Sequence, residues 1–316
     1  MLRYTLGRLG RAAITLFLVL SIVFLLMRLM PVDTYFEGRS DTMSETIKEN
    51  ILRQLGLLDP WYVQLKNFWV KLLLHGDLGE SIVIQKGVKC VDLMVPKAIN
   101  SFRFGAVAMV FQLVLGYSMG VLMARWKGKF FDRLGNAYVL LINALPAAVY
   151  YLFIQLYLST LLSLPMFYDK FDKSSMILPI VCLALPGIAS NAMWMRRYMV
   201  DELTKDYIKL ARIKGLSTRQ IMFKHVLRNA FVPMVQNLPT SFMLTIGGSL
   251  LVERFFSIPG MGPLLTDSIT RYDLNMVRGL VLLYALLGIF GLFLGDVLMT
   301  VCDPRIRLTG KGGDTR

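Results

Sequence analysis

The chain has 316 residues, 55% of them hydrophobic and 18% charged, and its 35 Lys+Arg against 21 Asp+Glu give a formal net charge of +14. That apolar content excludes a disordered chain, and three cysteines far apart in sequence (Cys90, Cys182 and Cys302) exclude a disulfide-built scaffold. A soluble chain carries about a quarter of its residues as charges, so the composition fits an intrinsic membrane protein whose positive excess must sit somewhere in particular.

A bilayer core about 30 Å thick takes roughly 20 apolar helical residues to cross. In chain order the sequence predicts six such helices, at 12–30, 104–124, 134–161, 176–195, 231–252 and 279–302. Each run is too long for a strand and lacks the alternation of a lipid-facing barrel. Pro146, Pro179, Pro186, Pro233 and Pro239 fall inside these runs, which membrane helices tolerate when neighbours satisfy the freed carbonyls. The first run is followed by Arg28 and Pro31 rather than a small-residue cleavage site, so it reads as an uncleaved signal anchor. The sixth carries Asp296 near its predicted cytoplasmic end, where pairing with a basic loop residue is expected rather than a proton relay. Gly116 with Gly120, and Gly291 with Gly295, have the spacing that allows close helix approach. Asn143, Gln155, Asn191, Gln236 and Asn237 either face a cavity or hydrogen-bond to neighbouring helices.

Six crossings put both termini on one side. The pieces 1–11, 125–133, 196–230 and 303–316 hold 20 Lys/Arg and six acids. The positive-inside rule therefore places these pieces, and both termini, in the cytoplasm. The basic excess is a topology signal, and its division among juxtamembrane loops excludes a nucleic-acid partner.

Two loops are long enough to carry information. The stretch 31–103 is expected to form an extracytoplasmic helical cap, either packed on the membrane domain or serving an external partner. One of its helices holds Ile47, Ile51, Leu52 and Leu55 and stops at Gly56. The next opens at Asp59-Pro60, with Asp59 as N-cap, and runs through Trp61, Leu65, Phe68, Trp69 and Leu72 to His75-Gly76. In the loop 196–230, Asp201 to Lys214 has helical periodicity, with Leu203, Tyr207, Leu210 and Ala211 on one face. Gly215 supplies a C-cap. Ser217-Thr-Arg-Gln220 is a capping box that starts a second helix through Ile221, Val226, Leu227 and Ala230. A capped elbow with nine Lys/Arg is more structure than a simple positive anchor requires.

No phosphate-cradling P-loop motif is present, His75 and His225 lie on opposite predicted sides, and no metal-ligand cluster or nucleophile elbow is visible. The chain is expected to be neither an enzyme nor the holder of a metal or cofactor. A stand-alone secondary transporter would predict inverted repeats and charged or broken helices at mid-membrane, and a membrane-bound hydrolase would need a catalytic constellation.

The run from Asp206 to Leu216, followed by His225-x-Leu-Arg-Asn-Ala230-x-x-Pro233, resembles the signature loop of ATP-binding-cassette importer permeases. Within them it is similar to the dipeptide/oligopeptide/nickel branch, in its first (B-type) subunit. Further matches are Leu6-Gly-Arg-Leu-Gly10, Met30-Pro-Val-Asp33, Leu55-Gly-Leu-Leu-Asp-Pro60, Gly76-Asp-Leu-Gly79-Glu-Ser81, Glu253 through Pro259-Gly-Met-Gly262, and Asp303-Pro-Arg-Ile-Arg307. The order of these motifs covers nearly the whole chain. Lys209-Leu210-Ala211 departs from the general Glu-Ala-Ala opening, and Tyr272-Asp273 reverses the usual order.

The resemblance implies an all-α permease fold of the type I importer class. It divides the chain into 1–30 (N-terminus and first span), 31–103 (cap), 104–302 (spans two to six with coupling loop 196–230) and 303–316 (cytoplasmic tail). It implies a bacterial plasma membrane, a second permease subunit, two ATPase subunits that hold ATP and Mg, an extracytoplasmic binding protein, and surrounding lipid. The implied cargo is a peptide, or alternatively a nickel chelate, glutathione or another small solute. The elbow becomes a coupling helix seated in an ATPase cleft, with contact through Ala211, Arg212, Ile213, Lys214, Gly215 and Leu216, and with Ser217 and Gln220 holding the turn. The resemblance assigns no residue to substrate binding.

Overall fold

The computed structural model describes residues 2–28, 36, 43–54, 56–245 and 247–302. The described residues are helical almost throughout, with a single isolated β-bridge between Glu80 and Lys89. The motifs Met30–Asp33 and Asp303–Arg307, the tail 303–316, Leu55 and the side chain of Asp296 lie outside them.

Contacts divide the chain into two compact units. Among the described residues, one comprises those within 1–97 together with 263–287, and the other 98–262 with 288–302. In the first unit, α1 (Leu2–Arg28) is followed by α2 (Glu45–Gln54) and α3 (Trp61–His75). α2 is polar and carries the i,i+3 and i,i+4 ion pairs Glu45–Lys48 and Glu49–Arg53. Asp59 does not cap α3. Pro60 itself occupies the N-cap, where its carbonyl accepts from the Val63 and Gln64 N–H groups, and Gly76 closes the helix in the left-handed region. Met27, Leu274 and Val277 form a small core with Val23 and Val281.

α4 (Cys90–Arg125) begins well before the expected 104, so the first part of its length belongs to the stretch read as cap. α5 (Phe130–Ala144) and α6 (Ala147–Phe153) come from one predicted span. The chain bends by 106° at Leu145-Pro146, because proline cannot donate to the preceding turn. A π-helical turn (Ile154–Leu158) leads into α7 (Ser159–Leu162), and a 3₁₀ turn at Lys173–Met176 into α8 (Ile177–Leu203). The loop 196–230 contains α9 (Asp206–Ile213), α10 (Thr218–Gln220) and a π-helical segment, Ile221–Val226, that runs on into α11 (Leu227–Thr245). α12 (Leu250–Phe255), α13 (Met261–Thr270) and α14 (Leu274–Cys302) follow.

Among the described residues, three unbroken helical stretches are long and apolar enough to cross a bilayer: Cys90–Arg125, Lys173–Leu203 and Leu274–Gly295. The bent pair of α5 with α6–α7 makes a fourth if it counts as one span, and Ala13–Met27 is a shorter apolar helix. The fifth predicted span is interrupted. α11 carries Pro233, Gln236, Asn237 and Pro239 and stops at Thr245, short of the expected 252.

Close packing follows the small residues. A Cβ on Gly116 would meet Asn191 Cβ at 2.7 Å, and one on Gly120 would meet the Ala192 carbonyl at 2.7 Å, so α4 and α8 touch nearly backbone to backbone. Gly291 and Gly295 do the same for α14 against Thr240 and Gln236 of α11. Two of the intrahelical amides serve packing. Buried Gln155 donates to the Met166 and Phe255 carbonyls, and Asn191 to the Gln112 carbonyl.

Candidate functional site: the elbow at 206–226

α8 ends at Leu203, so the expected continuous helix from Asp201 is broken at Thr204-Lys205. The inward face of α9 is Ile208 and Ala211, not Tyr207 and Leu210. They sink into a core with Ala124, Met195, Met199, Ile221, Met222, Val226, Ala230 and Met234. Shifting the break by a few residues rotates the helix, which is why a periodicity read from Asp201 selects the wrong face.

α9 ends in a Schellman motif. The Leu216 N–H reaches the Ala211 carbonyl at 3.2 Å and the Gly215 N–H reaches Arg212 at 3.0 Å. Gly215 sits at φ +79°, and a Cβ there would meet nothing within 4 Å. Backbone conformation alone demands glycine at this corner. Leu216 packs onto the elbow core as the hydrophobic partner of the motif.

Ser217 then caps the next helix in a complete capping box. Its Oγ accepts from the Gln220 N–H at 3.3 Å, while Gln220 Oε1 accepts from the Ser217 N–H at 3.0 Å. The π-helical turn that follows places Ile221, Met222 and Val226 together on the inside. Tyr207 ties the elbow to its flanking helices. Its hydroxyl donates to the Glu202 carboxylate and accepts from Asn229 Nδ2 at 2.8 Å. Burial, with Glu202 adding to it, pushes this phenol above its ordinary value, so it stays a neutral donor.

The eight residues assigned to this site from sequence are therefore brought together, but not with one orientation. Ala211, counted among the ATPase contacts from sequence, faces inward and is 6% exposed. Arg212, Ile213, Lys214, Gly215, Ser217 and Gln220 are exposed, and Leu216 is partly buried. Leu210 (53% exposed) and Ile213 (82%) project from the surface as an uncovered apolar pair flanked by Lys209, Arg212 and Lys214.

Sequence reasoning missed three charged anchors. Asp132, at the start of α5, takes Arg196 of α8 in a bidentate pair (2.5 and 2.9 Å) and also accepts from the Gly128 N–H at 2.7 Å. The Arg196 hydrogen bonds hold its carboxyl below the ordinary value, against the opposing effect of burial. Both residues had counted only as loop charges. Glu253, 2% exposed, accepts from the Ser249 N–H at 3.1 Å and the Gly262 N–H at 2.9 Å. A Cβ on Gly248 or Gly260 would fall 2.2 Å from its oxygens. The Glu253…Pro259-Gly-Met-Gly262 motif is thus a loop folded around one carboxylate. Asp273, fully buried, accepts from Ser81 Oγ at 2.5 Å and from the N–H groups of Ile82, Val83, Ile84 and Met276 at 3.1–3.3 Å. The spacing of nearly 200 residues between Ser81 and Asp273 left no local signal.

A concavity of about 1420 Å³ opens beside the elbow. Tyr117, Val121 and Phe231 supply apolar wall, Lys224 and Arg228 supply the charged lining beside His225, and among the described residues no acid lines it. Among the described residues no group of three or more His, Cys, Asp or Glu is placed to hold a metal.

Packed apolar helices, interrupted at prolines and carrying a capped elbow, define the class as a helical membrane protein. Residues 116–308 match the family model of the binding-protein-dependent transport system inner membrane component. Over 314 residues the chain is 32% identical to the dipeptide transport system permease protein DppB of Bacillus subtilis, covering 99% of this chain and 100% of that one. It is 32% identical over 310 residues to the glutathione transport system permease protein GsiC of Escherichia coli K12, covering 97% and 99%. It is 38% identical over 221 residues to the oligopeptide transport system permease protein AmiC of Streptococcus pneumoniae, covering 68% of this chain but only 44% of AmiC. The fold is similar to a chain of the MetNI methionine ABC transporter in an inward-facing form, with TM-score 0.55 and 17% identity over 66% of this chain and 96% of that one. The chain belongs to the binding-protein-dependent inner-membrane permeases, in the dipeptide/oligopeptide branch of the ATP-binding-cassette importers.

Proposed function

We propose that this chain forms half of the pathway of a peptide importer and couples it to a cytoplasmic ATPase through the elbow. It crosses the bacterial plasma membrane six times with both termini in the cytoplasm. It works with a second permease, two ATPase subunits and an extracytoplasmic binding protein. ATP and Mg²⁺ are held by the ATPases, so hydrolysis is not this chain's chemistry. Relatives named for dipeptide and oligopeptide transport support a peptide cargo, and the cavity beside the elbow, apolar-walled with a cationic lining, suits a solute with apolar side chains and a carboxylate.

The observation that carries the reading is the outward pair Leu210 and Ile213 on a short helix closed by a Schellman turn, with a capping box starting the next helix. An exposed apolar pair flanked by Lys209, Arg212 and Lys214, on the loop read as cytoplasmic, suits a protein cleft. A helix that cannot bend transmits displacement, where a flexible loop would absorb it. Arg212, Ile213, Lys214 and Gly215 would form the contact, with Leu216, Ser217 and Gln220 keeping the corner in shape and Ala211 anchoring it from inside.

The test is Gly215→Pro in the assembled transporter. Proline cannot adopt the left-handed backbone and also removes the N–H bonded to Arg212. Uptake of labelled peptide should drop to background, and ATPase activity should stop responding to loaded binding protein, while the subunits still co-purify in mild detergent. Unchanged uptake with unchanged stimulation would refute the coupling role. Peptide transport by this chain alone in liposomes would refute the importer assembly.

A further inference from the structure

The second helix of the 31–103 stretch does not have the surface of an aqueous cap. None of the residues of α3 is buried. Leu73 and Leu74 are each 74% exposed with Val70 open near them, and Trp61 and Tyr62 are exposed at the other end of the helix. Its neighbour α2 is the control within the same loop, being polar and laced with ion pairs.

α1 fixes the position of α3. Trp69 stacks on Phe17 with ring centroids 4.9 Å apart, Phe68 lies 5.6 Å from Phe24, and Trp69 Nε1 donates to Ser21 Oγ at 3.3 Å. At 1.5 Å per residue, Phe24, Ser21 and Phe17 lie about 6, 10 and 16 Å along α1 from its end at Arg28. The run from Ala12 to Met27 carries no charge. Where α1 crosses the hydrocarbon, α3 therefore meets it about 10 Å inside the charged end, a depth typical of helices lying in the bilayer interface. The composition agrees. Trp61 and Tyr62 are residues favoured at the lipid–water boundary, while Lys66 and Lys71, both exposed, have stems long enough to reach the headgroups.

We propose that α3 is a monotopic helix embedded in the outer leaflet, with lipid acyl chains rather than a protein covering Leu73, Leu74 and Val70. It rests on the reading of α1 as the first span. The outer loop then has two regimes, α2 in water and α3 in lipid, and the chain from Gly76 onward leaves the membrane surface rather than a free cap.

The test uses the assembled transporter in liposomes, with an environment-sensitive fluorophore on Leu74→Cys. Leu18→Cys on α1 serves as the bilayer reference and Ile47→Cys on α2 as the aqueous reference; all three native side chains are at least half exposed. Unsubstituted protein, labelled in parallel, sets the background. Lipids brominated along the acyl chain should quench position 74 to within about twofold of position 18, both being at hydrocarbon depth, while iodide should quench position 47 alone. Iodide quenching at 74 without lipid quenching would overturn the proposal. So would protection of 74 from both quenchers, which would mean a protein covers the face. If position 18 itself escapes the brominated lipid, the reading of α1 fails and the proposal with it; if 18 is quenched and 74 is not, the proposal fails alone.

Discussion

The elbow at 206–226 and the loops at 79–89 and 247–262 do the same local work, ending one helix and leading to another, with different chemistry. The elbow relies on many exposed groups: a Schellman turn, a serine–glutamine capping box and a tyrosine hydroxyl held by Glu202 and Asn229, all near water. Each of the other two loops gathers backbone N–H groups around one buried carboxylate, Asp273 or Glu253. The difference lies in what happens when a partner is removed. At the elbow a freed N–H can turn to water, so each cap is worth only about 1 kcal/mol. In the two loops the carboxylate is buried and its donors are buried or part-buried, and losing the acceptor leaves several of them unsatisfied at once. Rigidity is spread over many contacts at the elbow and concentrated in one side chain in the loops.

The largest effect is expected from Asp273→Ala, which strands Ser81 Oγ and four backbone N–H groups. A loss of about 3–5 kcal/mol should appear as a sharp fall in thermal stability of the purified permease by fluorescence-detected size exclusion. Asp273→Asn should recover part of it. Wild-type stability in the alanine variant would erase the distinction between loops and elbow. Gly260→Ala comes next, because its Cβ would lie 2.2 Å from Glu253 Oε2. Overpacking there should cost about 1–3 kcal/mol, and Glu253→Gln should not restore it, since the amide occupies the same space.

Gly215→Ala separates backbone strain from crowding, as the site has room for a methyl group but a positive φ. Its cost should be about 1–2 kcal/mol, with coupled transport reduced but not abolished, unlike Gly215→Pro. Ser217→Ala should be mildest, near 1 kcal/mol or below, and visible as faster hydrogen exchange at the Gln220 amide. If Ser217→Ala destabilised the chain as much as Asp273→Ala, the elbow would depend on a single group after all.

Legibility in the sequence followed the range of the interaction. Gly215, Ser217 and Gln220 were readable because caps are made between residues two to five apart. The glycine pairs of α4 and α14 were readable as surfaces for close approach, though not their partners, α8 and α11. The face of α9 was misread because the break at Thr204-Lys205 carries no glycine or proline, and periodicity cannot reveal a rotation it does not expect. The bend at Pro146 was hidden for the opposite reason: an apolar run on both sides of a proline reads as one span, while the lost hydrogen bond turns the chain by 106°.

The net charge of +14 and its uneven distribution, the apolar runs, the capped elbow and the ordered family motifs were determined by sequence alone, because hydropathy, charge and capping act locally. Only tertiary structure decided that Ala211 points inward while Leu210 and Ile213 stand exposed, that Arg196 belongs to Asp132, and that Glu253 and Asp273 are the posts around which two loops are folded. The physical reason is that a buried carboxylate must collect its donors from wherever the fold delivers them. For Asp273 they come from residues 81–84, a separation over which no local pattern in the chain can announce the pairing.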